Sequence, residues 1–284
     1  MFLLMWAQLS IAAPRHYAAT GLILGIDRPG NKVTISHQNI AGLMDAMAMP
    51  FAVKMPKLLE VLQPGDSVAF TLYVERRESW VEDLRIVHFD SAERDPVQAS
   101  RLRILDAVTG GTQIQPLAVG EKAEFALTDQ TGQMVKLSEF AGKVVVIDFI
   151  YTRCPLPDYC FRLSSNFSRL QMRFGGTADL VLLTVTFDPV HDGAEELARY
   201  AHIWKADPRK WRFLTGSLAQ IQQVCGLFGV VYWPDEGVFT HTLHTAVIDR
   251  GGKLAANLEG NRFAAAQLGD LVQTVLNRRD GLIR

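Results

Sequence analysis

The chain has 284 residues, 48% of them hydrophobic and 21% charged, with a formal net charge of −1. These values exclude a collagenous, coiled-coil or disordered chain, and the length is that of about two domains. Near-neutral charge lacks the basic footprint of a nucleic-acid binder, and three cysteines are too few for a disulfide-stapled scaffold.

Residues 1–13 are apolar, with Phe2, Leu3, Leu4, Met5 and Trp6 leading. The stretch is too short to span a bilayer but has the length of a signal-peptide core, and Ala12 and Ala13 supply small residues at a cleavage point. No Lys or Arg precedes Arg15, which is atypical for an export signal. Residues 1–16 are read as a signal peptide or membrane-proximal segment; a buried helix or a tail is the alternative.

Residues 17–90 alternate short apolar runs with turn signals. Residues 21–26 and 32–36 flank Asp27-Arg28-Pro29-Gly30-Asn31, Gln63-Pro64-Gly65-Asp66 precedes a run over 67–74, and a last alternating run covers 80–87. Closely spaced strands with one brief helical turn near Leu58 predict a small closed barrel. Residues 91–117, with a polar stretch and Gly110-Gly111, read as a linker. Residues 118–284 switch to a strand and helix rhythm. KVVVIDFI over 143–150 and LVLLTVTF over 180–187 are apolar runs expected to be buried on both faces. Helices are expected over 161–174, 194–205, 218–228 and 263–276, giving an α/β domain.

Four of the eight methionines lie between Met44 and Met55. Met47 and Met49 are two apart, so in an extended segment they share a face. Methionine often fills a core, but three within six residues near His37 make a soft donor set that selects Cu(I). Met55, outside the tight cluster, reads as core. In the second domain, Cys154 and Cys160 follow a strand and precede a helix, where the helix dipole favours thiolate. Pro155 and Pro157 keep the intervening segment from regular helix, so the two thiols can approach. Cys225, on a helix, reads as a buried small hydrophobe, and His191 as structural.

Residues Val33-Thr34-Ile35-Ser36-His37, Ala46-Met47-Ala48-Met49, Phe51-Ala52-Val53-Lys54 and Pro64-Gly65-Asp66 resemble a CusF-type periplasmic copper-binding domain, an OB-like barrel. The resemblance implies Cu(I) held by His37, Met47 and Met49. The family's capping Trp falls at Met44, which removes a cation–π cap and offers a third thioether. Phe149-Ile150-Tyr151-Thr152-Arg153-Cys154-Pro155 and Val185-Thr186-Phe187-Asp188-Pro189 resemble the Sco/SenC family of thioredoxin-fold copper proteins. That resemblance implies a site of Cys154, Cys160 and His241, with Asp188 and His244 in secondary roles. Five residues separate the cysteines where the family has three. Together the two resemblances imply an exported, periplasmic copper metallochaperone, carrying Cu(I) or Cu(II) to an acceptor such as a cytochrome c oxidase subunit, with membrane association through the amino terminus left open. The alternatives are a thiol–disulfide oxidoreductase in which Cys154 and Cys160 form the redox pair, and a copper-resistance buffer.

Overall fold

The computed structural model describes residues 14–75, 78–88, 115–235 and 237–278, with isolated positions between 97 and 104. The apolar leader over 1–13 and most of the linker over 91–117 lie outside the described residues.

The first unit is a closed barrel. Its strands are β1 (Arg15–Asp27), β2 (Lys32–His37), β3 (Met47–Val53), β4 (Ser67–Glu75) and β5 (Glu78–Ile86), with a short helix α1 (Leu58–Val61) between β3 and β4. They close in the order β1-β2-β3-β5-β4. Strand β1 is long enough to pair with β2 at one end and β4 at the other. Gly21 faces His37 across β1 and β2, and a Cβ there would sit 2.4 Å from Ile35 and 2.8 Å from the Ser36 carbonyl. Only glycine admits that approach. Ile23, Val33, Ile35, Phe51, Phe70 and Leu72 fill the interior. Met55 is 59% exposed, not core as its isolation suggested, because it lies beyond the end of β3, in the turn before α1.

The second unit is built on a seven-stranded sheet ordered β14-β13-β8-β9-β10-β6-β7. Its strands are β6 (Ala126–Asp129), β7 (Met134–Lys136), β8 (Val144–Ile150), β9 (Leu180–Thr186), β10 (Trp211–Thr215), β13 (His244–Ile248) and β14 (Leu254–Glu259). A separate hairpin pairs β11 (Tyr232–Asp235) with β12 (Val238–His241). Strands β8, β9 and β10 are parallel, and every residue of β8 and β9 is buried, which explains their unbroken apolar runs. The helices are α2 (Arg162–Arg173), α3 (Ala194–Ile203), α4 (Leu218–Leu227) and α5 (Ala265–Asn277). Among the described residues, no helix is long and apolar enough to cross a membrane.

The two units are joined. Leu22 and Leu24 of β1 contribute to the core of the second unit rather than to the barrel's own. The Ser36 hydroxyl donates to Asp270 on α5 at 2.8 Å, and the Gln267 amide donates to the Ser36 carbonyl at 2.7 Å. Gly65, at φ +97, lets the turn before β4 come against Ala256 and Asn257 of β14.

Candidate metal centres

The first centre forms where β2 ends. His37 is the last residue of β2 and Met47 the first of β3, and they are direct partners; Met49 pairs with Ile35. Directly opposed residues share a face, and positions two apart along a strand share it too. His37, Met47 and Met49 therefore lie on one face of the β2–β3 pair. His37 is fully buried, while Met47 is 51% exposed, at the rim. Met44 and Met49 are partly buried and pack against the barrel core. Met44 sits in the turn that pairs back on Ile40. The His37 Nδ1 lies 2.8 Å from the Gln38 carbonyl; a neutral ring donates there and leaves Nε2 as the lone-pair nitrogen. That Nε2 is buried with no partner. A buried orphan acceptor is costly unless something occupies it, and the cross-strand partner of His37 is Met47. The barrel's Trp80 is not placed as a cap: it carries the Lys54 ammonium 3.5 Å from its ring centre.

The second centre lies beyond the carboxyl end of β8, the usual ligand position in an open α/β sheet. After Ile150 the chain turns through Cys154, then makes a single π-helical turn, Pro157–Phe161, before α2. Tyr159 departs from helical dihedrals within that turn, at φ −109 and ψ −107. This irregular turn absorbs the long spacing and returns Cys160 to Cys154. His241 comes in from the end of β12. One donor atom from each of Cys154, Cys160 and His241 lies within 4.8 Å of the others. Both cysteines are free thiols.

The two sulfurs differ in charge. Cys154 is pulled down to about 4, chiefly by a hydrogen bond from Cys160, with His241 adding to the effect against the cost of burial. Cys160 is pushed up, first by burial and then by the neighbouring Cys154. Both shifts favour placing a single negative charge on the more exposed sulfur. His241 places Nδ1 3.0 Å from the Thr242 carbonyl, repeating the arrangement at His37. Its buried ring is boxed by Tyr151 at 5.9 Å, Tyr159 at 6.0 Å and Phe187 at 4.8 Å between centroids.

Asp188 stands apart from the sulfurs. It accepts from Arg153 at 2.6 Å and groups instead with His191 and Asp192. Asp192 accepts from the Thr152 backbone and hydroxyl and from the Thr186 hydroxyl, at 2.9, 2.6 and 2.6 Å, so this acidic group braces the start of the cysteine loop. His244 opens β13, with Nδ1 3.3 Å from Asn257 Oδ1, outside the trio. Cys225 is buried and its thiol is pushed up by that burial. Two residues near the site were not foreseen from the sequence. Asp148 is fully buried on β8, its oxygens lack hydrogen bonds of standard geometry, and burial pushes it up to about 8, partly offset by Thr184. Tyr151 lines the site itself. A charged residue inside an apolar run was the available signal for the first; the second carried none beyond its place before Cys154.

Comparison with known proteins gives two matches along the chain. The SCO1/SenC family model matches residues 115–276, and the model described as copper binding periplasmic protein CusF matches residues 16–86. The SCO1 protein homolog of Bacillus subtilis is 28% identical over 116 residues, 40% of this chain and 59% of that protein. Protein sco1 of Schizosaccharomyces pombe is 29% identical over 140 residues, 45% of this chain and 51% of that protein. The chain thus spans just over half the length of these two relatives. The cation efflux system protein CusF of Escherichia coli K12 is 32% identical over 79 residues, 28% of this chain and 72% of that protein. In structure, the second unit is similar to a SCO1/SenC family lipoprotein from Bacillus anthracis, with 24% identity and a TM-score of 0.50 over 55% of this chain and 95% of that one. It is also similar to BsSco, described as having a disulfide switch and as a member of the Sco family of cytochrome c oxidase assembly proteins. That match has 22% identity and a TM-score of 0.50 over 59% of this chain and all of that one. The second unit has the thioredoxin-like fold and the first is a small OB-like barrel.

Proposed function

Because the chain belongs to the SCO1/SenC family and carries a CusF-family barrel ahead of that domain, we propose that it is an exported copper metallochaperone with two copper sites. The observation that carries this reading is the convergence of two sulfurs and one imidazole within 4.8 Å. Thiolate and imidazole are soft and borderline donors suited to copper. Cys154 supplies a standing thiolate, Cys160 a second on losing its proton, and His241 its Nε2. In the barrel, the His37 Nε2 and the sulfurs of Met47 and Met49, with Met44 nearby, hold Cu(I) through neutral donors. The periplasm is the compartment, by likeness to CusF, and the acceptor is a copper centre of the cytochrome oxidase kind, by likeness to BsSco.

Cu(I) titration into the reduced full chain, with a competing chromophoric chelator, tests this. Wild type takes two equivalents; His241→Ala and Met47→Ala/Met49→Ala each lose one. Two equivalents retained by either variant would return its residues to a structural role.

A second reading, thiol–disulfide exchange with an acceptor, is favoured by the unequal charge of the cysteine pair. A partly exposed thiolate beside a buried thiol is the arrangement of a nucleophile with its resolving partner. His241→Ala separates the two, because metal binding needs the imidazole directly and the attack of Cys154 on a disulfide does not.

A further inference from the structure

The short connection between β14 and α5 touches both arms of the second centre. Cys154 and Cys160 arrive on one loop, and His241 arrives at the end of β12. A loop with five residues between its cysteines has more conformational freedom to lose than a shorter one, so a fixed approach of the two thiols calls for an anchor. The backbone offers a place for it. In a regular helix the Arg162 N–H would bond the carbonyl four residues back, at Asp158; after the π-helical turn it is donated to the Tyr159 carbonyl. The Asp158 carbonyl accepts from the side-chain amide of Asn261. Asn261 is buried, and a buried amide donor is costly to leave unpaired.

Asn261 is itself held from both sides. Gly260, just before it, has φ +78, a left-handed turn that glycine enters without strain. The Gly260 N–H donates to the Leu243 carbonyl at 2.7 Å, and Leu243 lies between His241 and the start of β13. On the other side the Ala264 N–H donates to Gln267 Oε1 at 2.9 Å, which fixes the first turn of α5. We propose that Asn261 is a positioning residue of the second centre, tying the arm that carries Cys160 to the strand end that carries His241. Asp158 is two residues from Cys160 and Leu243 two from His241, and Gly260-Asn261 joins them. Without the Asn261 donor the cysteine loop samples positions in which Cys160 is turned away from Cys154 and from the imidazole. The effect on copper rests on the metallochaperone reading above; the effect on the two thiols does not.

Asn261→Asp is the discriminating variant, because an ionised carboxylate keeps the size of the side chain but can only accept; Asn261→Ala removes the side chain beyond Cβ. Three measurements on the full chain test the role. In the reduced, metal-free wild type, the Asn261 side-chain amide protons should exchange with solvent more slowly than those of exposed asparagines. Exchange at the exposed rate would overturn the proposal without any variant. In glutathione buffers of graded ratio, the fraction of Cys154–Cys160 disulfide reports the effective concentration of one thiol at the other. It should fall about tenfold in both variants, the worth of one hydrogen bond. An Asn261→Asp value equal to or above wild type would overturn the proposal, since a side chain that merely fills space is preserved there. With Cu(I) added under chelator competition, the affinity of the second centre should fall about tenfold in Asn261→Asp while the barrel equivalent is unchanged. An unchanged second-centre affinity would overturn the role in metal binding. Failure of the wild type to take copper at this centre would count against the metallochaperone reading, and the thiol equilibrium would then decide the positioning role on its own.

Discussion

The two centres use one device and opposite chemistry. In each, a histidine closes a β-strand and sets its Nδ1 against the carbonyl of the next residue, Gln38 in the barrel and Thr242 in the second unit. In each, the copper reading proposed above assigns coordination to Nε2. The sulfurs differ. The barrel offers thioethers, which carry no charge and lose no proton. The second unit offers one sulfur whose ionisation is favoured by its hydrogen bonds and one whose ionisation is opposed by burial and by its neighbour. Copper bound among neutral thioethers leaves without taking up protons on sulfur; copper bound by the cysteine pair is exchanged against them. On the copper reading proposed above, the chain has one site whose sulfurs bind no protons and one whose sulfurs do, on one frame.

The largest effect that separates the centres is loss of the thiolate. Cys154→Ser should abolish copper binding in the second unit and leave one equivalent, read by chelator competition, with the barrel affinity unchanged. Acidification should act next. Loading the second centre displaces the Cys160 proton, so affinity there should fall about tenfold per pH unit as pH decreases through neutrality. Below about pH 4, where Cys154 also protonates, both sulfurs should give up protons on loading and the fall should steepen further. The Met47→Ala/Met49→Ala variant isolates this centre and should show the full slope, whereas Cys154→Ser should show no sulfur contribution to the slope.

Asp148 sharpens the contrast on the side of the fold. Its folded value of about 8 lies above the ordinary 3.8, so the unfolded chain gives up this proton first. Its ionisation therefore costs nothing at low pH and destabilises the folded state progressively from about pH 4 to about pH 8, on the order of 1 kcal/mol per pH unit. Asp148→Asn should flatten that decline in denaturant unfolding at pH 5 and pH 8. The smallest effect should come from the joint between the units. Gln267→Ala removes the donor to the Ser36 carbonyl, one residue before His37. It should cost about 1 kcal/mol in stability and lower copper affinity in the barrel while sparing the second centre.

Much of this architecture was legible in the chain because the relevant signals are local. Unbroken apolar runs marked β8 and β9, alternation and turn residues marked the barrel strands, and the clustering of Met44, Met47 and Met49 after His37 was visible without coordinates. The cysteine loop was legible only in part. Five intervening residues left its geometry open, and the π-helical turn that folds Cys160 back is a tertiary outcome, held in part by Asn261 donating to the Asp158 carbonyl. The short strand β10 and the hairpin of β11 and β12 gave no reliable pattern, since their burial is set by the sheet and the aromatic cluster around them. The docking of the barrel on α5 depends on Ser36, Gln267 and Asp270, ordinary polar residues more than 230 positions apart in the chain. No local pattern could have paired them.

Proton release on copper loading tests the central contrast most directly. Calorimetric Cu(I) titration of the reduced protein at pH 8, repeated in buffers of different ionisation enthalpy, counts protons for each equivalent bound. Two equivalents of unequal proton cost are expected, about one proton for the cysteine centre and none from sulfur for the barrel, with the costly equivalent missing in Cys154→Ser. Equal release by both equivalents, or a costly equivalent that survives Cys154→Ser, would contradict it.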